Sequence, residues 1–334
     1  MDKNGFAEFL KERGGRDERI EDAMAIAEAF ETFLAEGHYT IATDAQAVQT
    51  VHAFSKRLIE RDLNTWDNYV ALLRYGRFIG NDAVLIAALE LIDGAEALER
   101  LHEKLAEAHG AVVCDRIFEG IEIPVLGVPN ADKPCAMAAV IRRIEERLGH
   151  DACIDLLKDS VRYLDDAWYE DGKAKYERAG GIDAFLEQKG RDFIALMEKH
   201  RDEGTLFFSQ PINDAVIDYV NAHPEIRSGV RDGDRIVEAK IPHQAIKFLE
   251  ATDPIDKAYH YCHCPWAKES LREGPSDVPP VFCNCSAGFH KKSYEVIFGQ
   301  PLRAEVLECV LAGDPWCKFA IYLPNAVEGV GDRT

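Results

Sequence analysis

The sequence predicts an α+β protein, in which an N-terminal all-helical bundle is followed by a C-terminal mixed domain with helices packed on an antiparallel sheet that ends in a β-hairpin. Three observations predict this class. Apolar residues recur at helical spacing over residues 1–110, strand-like runs follow after residue 200, and six of the nine cysteines lie after residue 260. Because a chain of 334 residues exceeds what one simple core usually organises, we expect two units.

Residues 1–110 are predicted to form the helical bundle. Apolar residues at threes and fours indicate a first helix that opens near Asp17 and stops at Gly37. Three further helices each follow a residue that can cap a helix N-terminus, and a last one covers roughly residues 95–109. The capping segments are Thr43-Asp44, Asn64-Thr65 and Asn81-Asp82.

Residues 111–130 are predicted to be a connector, because Pro124, Gly127 and Pro129 favour an extended chain there. The helical rhythm returns after Lys133, so residues 131–330 are predicted to form one α+β domain. Its strands are expected at residues 205–209 and 235–241, and its closing hairpin at residues 302–311 and 316–323.

The charge balance argues against two classes of partner. The formal net charge is −20, and no basic run is long enough to neutralise a phosphate backbone, so we expect no nucleic acid and no anionic membrane surface. The N-terminus lacks the apolar core of a signal peptide, and no run approaches about 18 apolar residues. We therefore expect a cytoplasmic protein, with a homodimer as a candidate assembly.

The cysteines form pairs that can chelate. Each of two C-x-C segments places two sulfurs on one side of an extended chain, and a third pair flanks the turn Ala312-Gly313-Asp314-Pro315. The six residues are Cys262, Cys264, Cys283, Cys285, Cys309 and Cys317. Thiols clustered in a reducing compartment favour zinc, but reactive thiolates and buried or reversibly oxidised structural cysteines remain alternatives.

The C-terminal motifs resemble a known pattern. The segments Cys264-Pro265-Trp266-Ala267, Cys285-Ser286-Ala287-Gly288-Phe289 and Gly313-Asp314-Pro315-Trp316-Cys317 are similar to the 4-vinyl reductase domain superfamily and the 2-amino-thiazoline-4-carboxylate hydrolase family. The resemblance covers about the last 65 residues. It implies helices on an antiparallel sheet that enclose an apolar pocket, with zinc beside the pocket on cysteines and a glutamate.

The resemblance also implies a ligand set. Cys309 and Cys317 match the two cysteines of the closing motif, but the position of the expected glutamate holds Val306. Glu305 is a displaced candidate for that ligand, and the C-x-C cysteines could replace it. The full set expected at the metal is Cys262, Cys264, Cys283, Cys285, Cys309, Cys317 and Glu305.

Hydrolysis of a small C–N or C–S heterocycle is the first function that the resemblance implies. A thiolate, Cys264 or Cys285, or a zinc-activated water would attack carbon, and His263 or His290 would move protons. A non-catalytic sensor of a small aromatic or apolar ligand, with structural zinc, is the alternative, and a scaffold protein is a third. The pocket walls are expected among aromatic residues near the cysteines and on the first strand: Phe207, Phe208, Tyr261, Trp266, Phe289, Tyr294 and Trp316.

Overall fold

A computed structural model describes residues 1–14, 17–37, 39–160, 164–272 and 277–324, apart from the side chains of Asp17, Glu18 and Ser160. The chain divides into two compact units. The first contains residues 1–95 and 122–133, and the second contains residues 96–121 and the chain from residue 134 onward. This division differs from the expected one, because residues 96–121 belong with the second unit and residues 122–133 with the first.

The first unit is helical, as predicted. Side chains of Thr43, Thr65 and Asn81 accept hydrogen bonds from backbone N–H groups three residues on, which confirms the caps expected before the second to fourth predicted helices. Its apolar faces meet in one core around Phe30, Phe54 and the other buried side chains of these helices. The helices are α1 (Lys3–Glu12), α2 (Asp17–Gly37), α3 (Asp44–Glu60), α4 (Trp66–Phe78) and α5 (Asp82–Ile92).

The second unit surrounds a small sheet with helices. Residues 111–118, expected in a connector, form a helix instead, because their apolar side chains Cys114 and Ile117 have a core to pack into. The helices are α6 (Ala97–His109), α7 (Ala111–Phe118), α8 (Pro134–Leu148), α9 (His150–Ser160), α10 (Glu170–Ala179), α11 (Ile182–Glu203), α12 (Asp214–Ala222), α13 (Pro224–Arg227), α14 (Ala245–Glu250), α15 (Pro254–Tyr261) and α16 (Asn284–Phe298).

The sheet has four antiparallel strands in the order β1-β2-β4-β3. They are β1 (Val230–Asp232), β2 (Arg235–Ala239), β3 (Ala304–Glu308) and β4 (Lys318–Tyr322). The last two confirm the predicted hairpin. The α+β class is confirmed as well, with helices in the N-terminal part and the sheet towards the C-terminus.

Two strand predictions need correction. Residues 205–209 are a turn closed by a bridge between Phe207 and Gln210, because Phe208 and Ser209 have φ of 43° and 62°, which no pleated strand can accommodate. The strand predicted over residues 302–311 ends at Glu308, after an irregularity between Val306 and Glu308. A short 3₁₀ turn over Val310–Ala312 follows it.

Helix α16 is the central element of the second unit. It contacts β3, β4 and α9, and it approaches α9 so closely that a Cβ at Gly288 would lie 2.0 Å from the backbone oxygen of Lys158. Glycine is therefore required at this crossing. Among the helices that the structure describes, none is both long and apolar enough to cross a membrane.

Candidate functional site

A pocket of about 360 Å³ lies in the second unit among α10, α11, α13 and α16. Much of its wall is apolar, and Phe185, Phe193 and Leu196 of α11 and Ile297 of α16 contribute to it. Trp168, which precedes α10 and is 73% exposed, lies at its surface. The volume falls at the small end of the range of roughly 300–1,000 Å³ seen for ligand sites, so the pocket suits a compact organic molecule.

Lys189 and Tyr294 line the pocket, and both donate hydrogen bonds to a buried carboxylate. Glu238 on β2 accepts hydrogen bonds from Lys189 Nζ, from Tyr294 Oη at 2.7 Å and from His290 Nδ1 at 2.8 Å. Lys189 Nζ also lies 3.2 Å from Tyr294 Oη. Three donors therefore satisfy one carboxylate whose residue is only 5% exposed.

This arrangement fixes the charge states of the cluster. Burial alone would raise the pKa of Glu238, but the charge of Lys189 and the hydrogen bond from His290 outweigh it and hold that pKa well below its ordinary value. Burial lowers the pKa of His290, so its imidazole is neutral and donates its Nδ1–H to the carboxylate. Burial and the neighbouring Glu238 raise the pKa of Tyr294 well above 10.0, so the phenol stays protonated.

Strand and helix periodicity bring these groups together. Glu238 lies on β2 and Lys240 just after it. The two are two residues apart, so in an extended chain their side chains lie on the same side. Ser286, His290 and Tyr294 recur every fourth residue along α16 and share one side of that helix. Lys240 Nζ donates to Ser286 Oγ at 2.8 Å, so a further hydrogen bond connects this segment to α16.

Two residues that line the pocket each have a buried polar atom without a hydrogen-bond partner among the described residues. Tyr169 Oη and Arg227 Nε are buried, and neither makes a hydrogen bond within the described ranges. Both residues line the pocket. A buried donor without a partner costs roughly 1–3 kcal/mol, so an acceptor group of a ligand would relieve this cost.

A separate group of three thiols lies at the end of the hairpin. Cys283 closes a 3₁₀ turn over Pro280–Cys283, and the neighbouring thiols of Cys309 and Cys317 raise its pKa. Cys309 immediately follows β3, and Cys317 immediately precedes β4. The hairpin and the turn before α16 therefore converge at these sulfurs, which we call the thiol cluster.

The sulfurs of the thiol cluster differ in acidity. Hydrogen bonds from Cys283 lower the pKa of Cys309 and bring that of Cys317 to about 7, whereas the pKa of Cys283 itself is raised well above 9.0. Backbone N–H groups of Val310 and Ala312 also stabilise the thiolates of Cys317 and Cys309, respectively. Cys283 is thus the sulfur that keeps its proton, and its single S–H can be donated to only one of the two neighbours at a time.

Cys262 is a further thiol close enough to Cys317 to be affected by its charge. It is buried, and burial, reinforced by the neighbouring Cys317, raises its pKa to about 11. Cys262 and the thiol cluster have the soft donors that zinc prefers. As these side chains lie, however, the described parts of the chain contain no group of three or more His, Cys, Asp or Glu residues that could hold a metal ion. Zinc therefore stays a prediction, and no chemical step below depends on it.

The remaining expected metal ligands are Cys264, Cys285 and Glu305. Cys264 is half-buried, and Cys285 is buried with its sulfur 4.0 Å from Ser286 Oγ. The carboxylate of Glu305 accepts hydrogen bonds from Tyr322 Oη at 2.7 Å and from Arg303 at 2.8 Å. Those partners hold it on the hairpin, where it neutralises Arg303.

The two histidines expected to move protons occupy different polar groups. His290 belongs to the Glu238 cluster, and its ring stacks on Phe319 at 4.7 Å. His263 Nε2 lies 2.6 Å from the carbonyl oxygen of Ile241, and its ring is 5.0 Å from that of His243. Of this pair, His290 is the one connected to the pocket, through Glu238 and Tyr294.

Among the seven aromatic residues expected in the pocket wall, Tyr294 lines the pocket described above. Phe207 packs in a separate core with α12, and Phe208 is 75% exposed on the turn that replaced the expected strand. The others pack elsewhere in the second unit. Tyr261 and Trp266 are buried in the core beside the cysteines, Phe289 lies 6.0 Å from the His290 ring, and Trp316 donates to Glu308.

Sequence reasoning missed Lys189, Arg227 and Glu238. For Glu238 the sequence contained a signal. A strand was correctly expected there, and Glu238 lies two residues after the apolar Ile236, so its carboxylate shares the buried face of that strand. For Arg227 no such signal exists, since its role depends on how the four-residue helix α13 packs against α11.

Comparisons of the chain with protein-family models, with curated proteins and with solved structures found no match.

Proposed function

We propose that the second unit is a small-molecule hydrolase whose substrate is a compact C–N or C–S heterocycle, or a similar compound, bound in the pocket. The observation that carries this proposal is the position of Lys189. Its ammonium group lines an apolar pocket and is fixed from behind by the buried Glu238 and by Tyr294. A cluster of polar groups that have shifted pKa values, fixed by hydrogen bonds beside such a pocket, is typical of an active site.

Lys189 has the donors that such a reaction needs. An ammonium group carries three N–H bonds, and contacts with Glu238 and Tyr294 use two of them, which leaves one for a bound molecule. When water attacks a ring carbon, negative charge develops on a neighbouring heteroatom. Lys189 would stabilise that charge and protonate the leaving nitrogen or sulfur, while the attacking water supplies the hydroxyl group and the balancing proton.

The unpaired donors at the pocket favour a substrate that carries a hydrogen-bond acceptor, preferably an anionic group. Arg227 offers a guanidinium and Tyr169 a phenol, each with a buried atom that lacks a partner in the described residues. A carboxylate would satisfy both needs through charge-assisted hydrogen bonds, which are the stronger kind. The apolar side chains of α11 would contact the rest of the molecule.

A non-catalytic sensor is the second candidate, and the state of the carboxylates favours it. Glu238 is occupied by three donors, and Asp171 and Asp192, which line the pocket, both pair with Lys175 at 3.0 and 2.9 Å. A pocket whose carboxylates are all engaged binds a ligand without an evident general base. Ligand-dependent stabilisation without turnover would then be expected.

A melting and turnover screen tests both candidates. Small heterocycles, thioamides, phenols and aromatic carboxylates are added to the full chain, melting temperature is recorded, and reaction mixtures are analysed by chromatography. Turnover that is lost in Lys189→Met and kept in Lys199→Met, an exposed lysine on the same helix, supports the hydrolase. Stabilisation without turnover supports the sensor, and no stabilisation by any compound contradicts both.

We also propose that the protein works in the cytoplasm, in agreement with the nine free cysteines of the chain. Zinc is part of the proposal only at the thiol cluster and Cys262, on the donor chemistry given above. Metal analysis of the purified chain tests it, since a bound ion would appear at about one equivalent and would be lost when these thiols are replaced.

A further inference from the structure

A second cavity, of about 490 Å³, lies between α10 and α11, and its walls are mainly charged. Besides two alanines, it is lined by Lys175 and Arg178 of α10 and by Gln188, Arg191 and Asp192 of α11. We propose that this cavity, which we call the basic groove, binds the phosphate group of a small phosphorylated compound. The inference does not depend on the hydrolase or on the sensor, because neither places a ligand in this groove.

The first support is the charge of the basic groove. It brings three cationic side chains together with one carboxylate, whereas the whole chain has 39 lysines and arginines against 59 aspartates and glutamates. That carboxylate is already engaged, since Asp192 Oδ2 lies 2.9 Å from Lys175 Nζ and Asp192 Oδ1 accepts from Gln188 Nε2 at 2.6 Å. A local excess of positive charge in a cavity of an acidic protein attracts a small anion.

Helix periodicity places cations on both walls of the basic groove. Lys175 and Arg178 are three residues apart on α10, so they share one side of that helix. Gln188 and Arg191 have the same spacing on α11. The short turn at Gly180-Gly181 joins the two helices, which contact each other. An anion between them can therefore be bound from two sides.

The second support is that free donors remain on both walls. Arg178 makes no hydrogen bond or ion pair with any residue that the structure describes. Arg191 Nη2 donates to Gln188 Oε1 at 2.8 Å, and its ion pair with Glu187 is long, at 3.8 Å between two largely exposed side chains. Because a guanidinium carries five N–H donors, both arginines can bind further oxygen atoms.

This donor set favours a phosphate group over a carboxylate. A phosphate monoester carries about 1.5–2 negative charges near pH 7 and three acceptor oxygens, whereas a carboxylate carries one charge and two oxygens. Arginine binds phosphate through paired N–H···O bonds, and lysine adds a compact charge. Arg178, Arg191 and Lys175 supply this combination, and the fourth phosphate oxygen can bear the organic part of the compound.

The basic groove and the pocket share two residues. Lys175 and Asp192 line both cavities, so the organic part of a bound monoester can extend towards the pocket. A phosphate group beside Lys175 also competes with Asp192 for its ammonium group, which is 2.9 Å away. The contacts of the phosphate group alone define the groove, and the test below therefore uses probes without a large organic part.

Phosphate titration at constant ionic strength tests the proposal. The full chain is titrated with sodium phosphate at neutral pH, sodium chloride is lowered to compensate, and the melting temperature is recorded. We expect phosphate to raise the melting temperature in a saturable way that chloride does not reproduce. Methyl phosphate, the simplest monoester, should stabilise the chain as phosphate does.

Substitutions locate the site. Arg178→Gln should raise the phosphate concentration at half-saturation about tenfold, since charge-assisted hydrogen bonds are lost, and Arg191→Gln should do the same. Arg147→Gln is the matched control, because Arg147 is likewise an exposed arginine in the last turn of a helix and should leave phosphate binding unchanged. The three substitutions remove the same charge, so an effect of net charge alone would appear in all of them.

Three results would overturn the proposal. In one, phosphate stabilises the wild-type chain no more than chloride does. In another, phosphate binding survives both Arg178→Gln and Arg191→Gln but is lost in Arg227→Gln, which would place the anion in the pocket. In the third, the chain sediments with vesicles that contain phosphatidic acid while free phosphate has no effect, so that the ligand is a lipid headgroup. None of these results involves turnover, so the proposed hydrolase and sensor are tested separately.

Discussion

The carboxylate of Glu238 on β2 accepts a hydrogen bond from the phenol of Tyr294 on α16, with 2.7 Å between the oxygens. Both residues are buried, and the contact places an ionised carboxylate between the sheet and its covering helix. Such a charge is tolerated only when a counter-charge and further donors compensate its loss of water. Lys189 and His290 supply them, and Lys189 also reaches the pocket.

Glu238→Gln is expected to destabilise the protein by roughly 1–3 kcal/mol, because the amide cannot balance the charge of Lys189 and its NH₂ group opposes another donor. Partial exposure of Lys189 keeps the value below that of a fully buried pair. Urea unfolding at neutral pH measures it. The matched control is Glu187→Gln, an exposed carboxylate on α11, for which a change below about 0.5 kcal/mol is expected. Equal effects of the two substitutions would contradict this account of the cluster.

Much of the fold could be predicted from the sequence, because local rules decide it. Capping residues such as Thr43 and Asn81 fix where helices begin. The glycine-containing turn of the hairpin marks where one of the last two strands ends and the other begins. The same rules wrongly predicted a strand at residues 205–209. Apolar, β-favouring residues there pack as a turn, which the period of a pattern does not reveal.

The site was less predictable, because contacts between distant segments define it. Cys309 and Cys317 were expected near each other from the short turn between them, but the effect of both on the pKa of Cys283 depends on how the turn before α16 meets the hairpin. The pocket joins α10, which ends at Ala179, to α11, α13 and α16, the last of which begins only at Asn284. No local pattern encodes such an arrangement.

Acidification is expected to destabilise the second unit in two stages. The pKa of His290 is lowered from 6.5, so below pH 6.5 the unfolded chain binds the proton first and stability falls with pH. Glu238, whose pKa is held far below 4.5, adds a further loss below pH 4.5. His290→Gln keeps a donor to Glu238 but cannot titrate. In this variant the free energy of unfolding should fall less steeply with pH over the first stage, by up to about 1.4 kcal/mol per pH unit.

Urea unfolding of wild type and His290→Gln at several pH values between 7 and about 5 measures the first stage, because the difference between them isolates one titrating group. Lys189 and Lys240 face the same cluster and are present in both proteins, so the difference between the two curves reports residue 290. Parallel curves for the two proteins would show that His290 does not titrate as its burial requires.

Arg227→Gln is expected to weaken the binding of benzoate by about tenfold or more, since a hydrogen bond to a charged group contributes roughly 1.5–3 kcal/mol. Benzamide, which is nearly the same shape but neutral, should bind both proteins alike. Isothermal titration measures the affinities, and Arg178→Gln, an exposed arginine of α10, is the control. An equal loss for benzoate and benzamide would mean that Arg227 shapes the pocket and does not hold an anion.

Gly288→Ala is expected to destabilise the protein by about 1–3 kcal/mol or more, because the new methyl group would lie 2.0 Å from the backbone oxygen of Lys158 and the backbone cannot yield as a side chain can. Gly172→Ala is the opposite case. Its Cβ would meet nothing within 4 Å on a helical backbone, so alanine should add up to about 1 kcal/mol through helix propensity. Denaturant unfolding of wild type and the two variants measures the change in the free energy of unfolding, which should be negative for Gly288→Ala and positive for Gly172→Ala. If Gly288→Ala were as stable as wild type, α16 could not approach α9 as closely as the structure has it, and the position of Tyr294 and His290 on that helix would have to be revised.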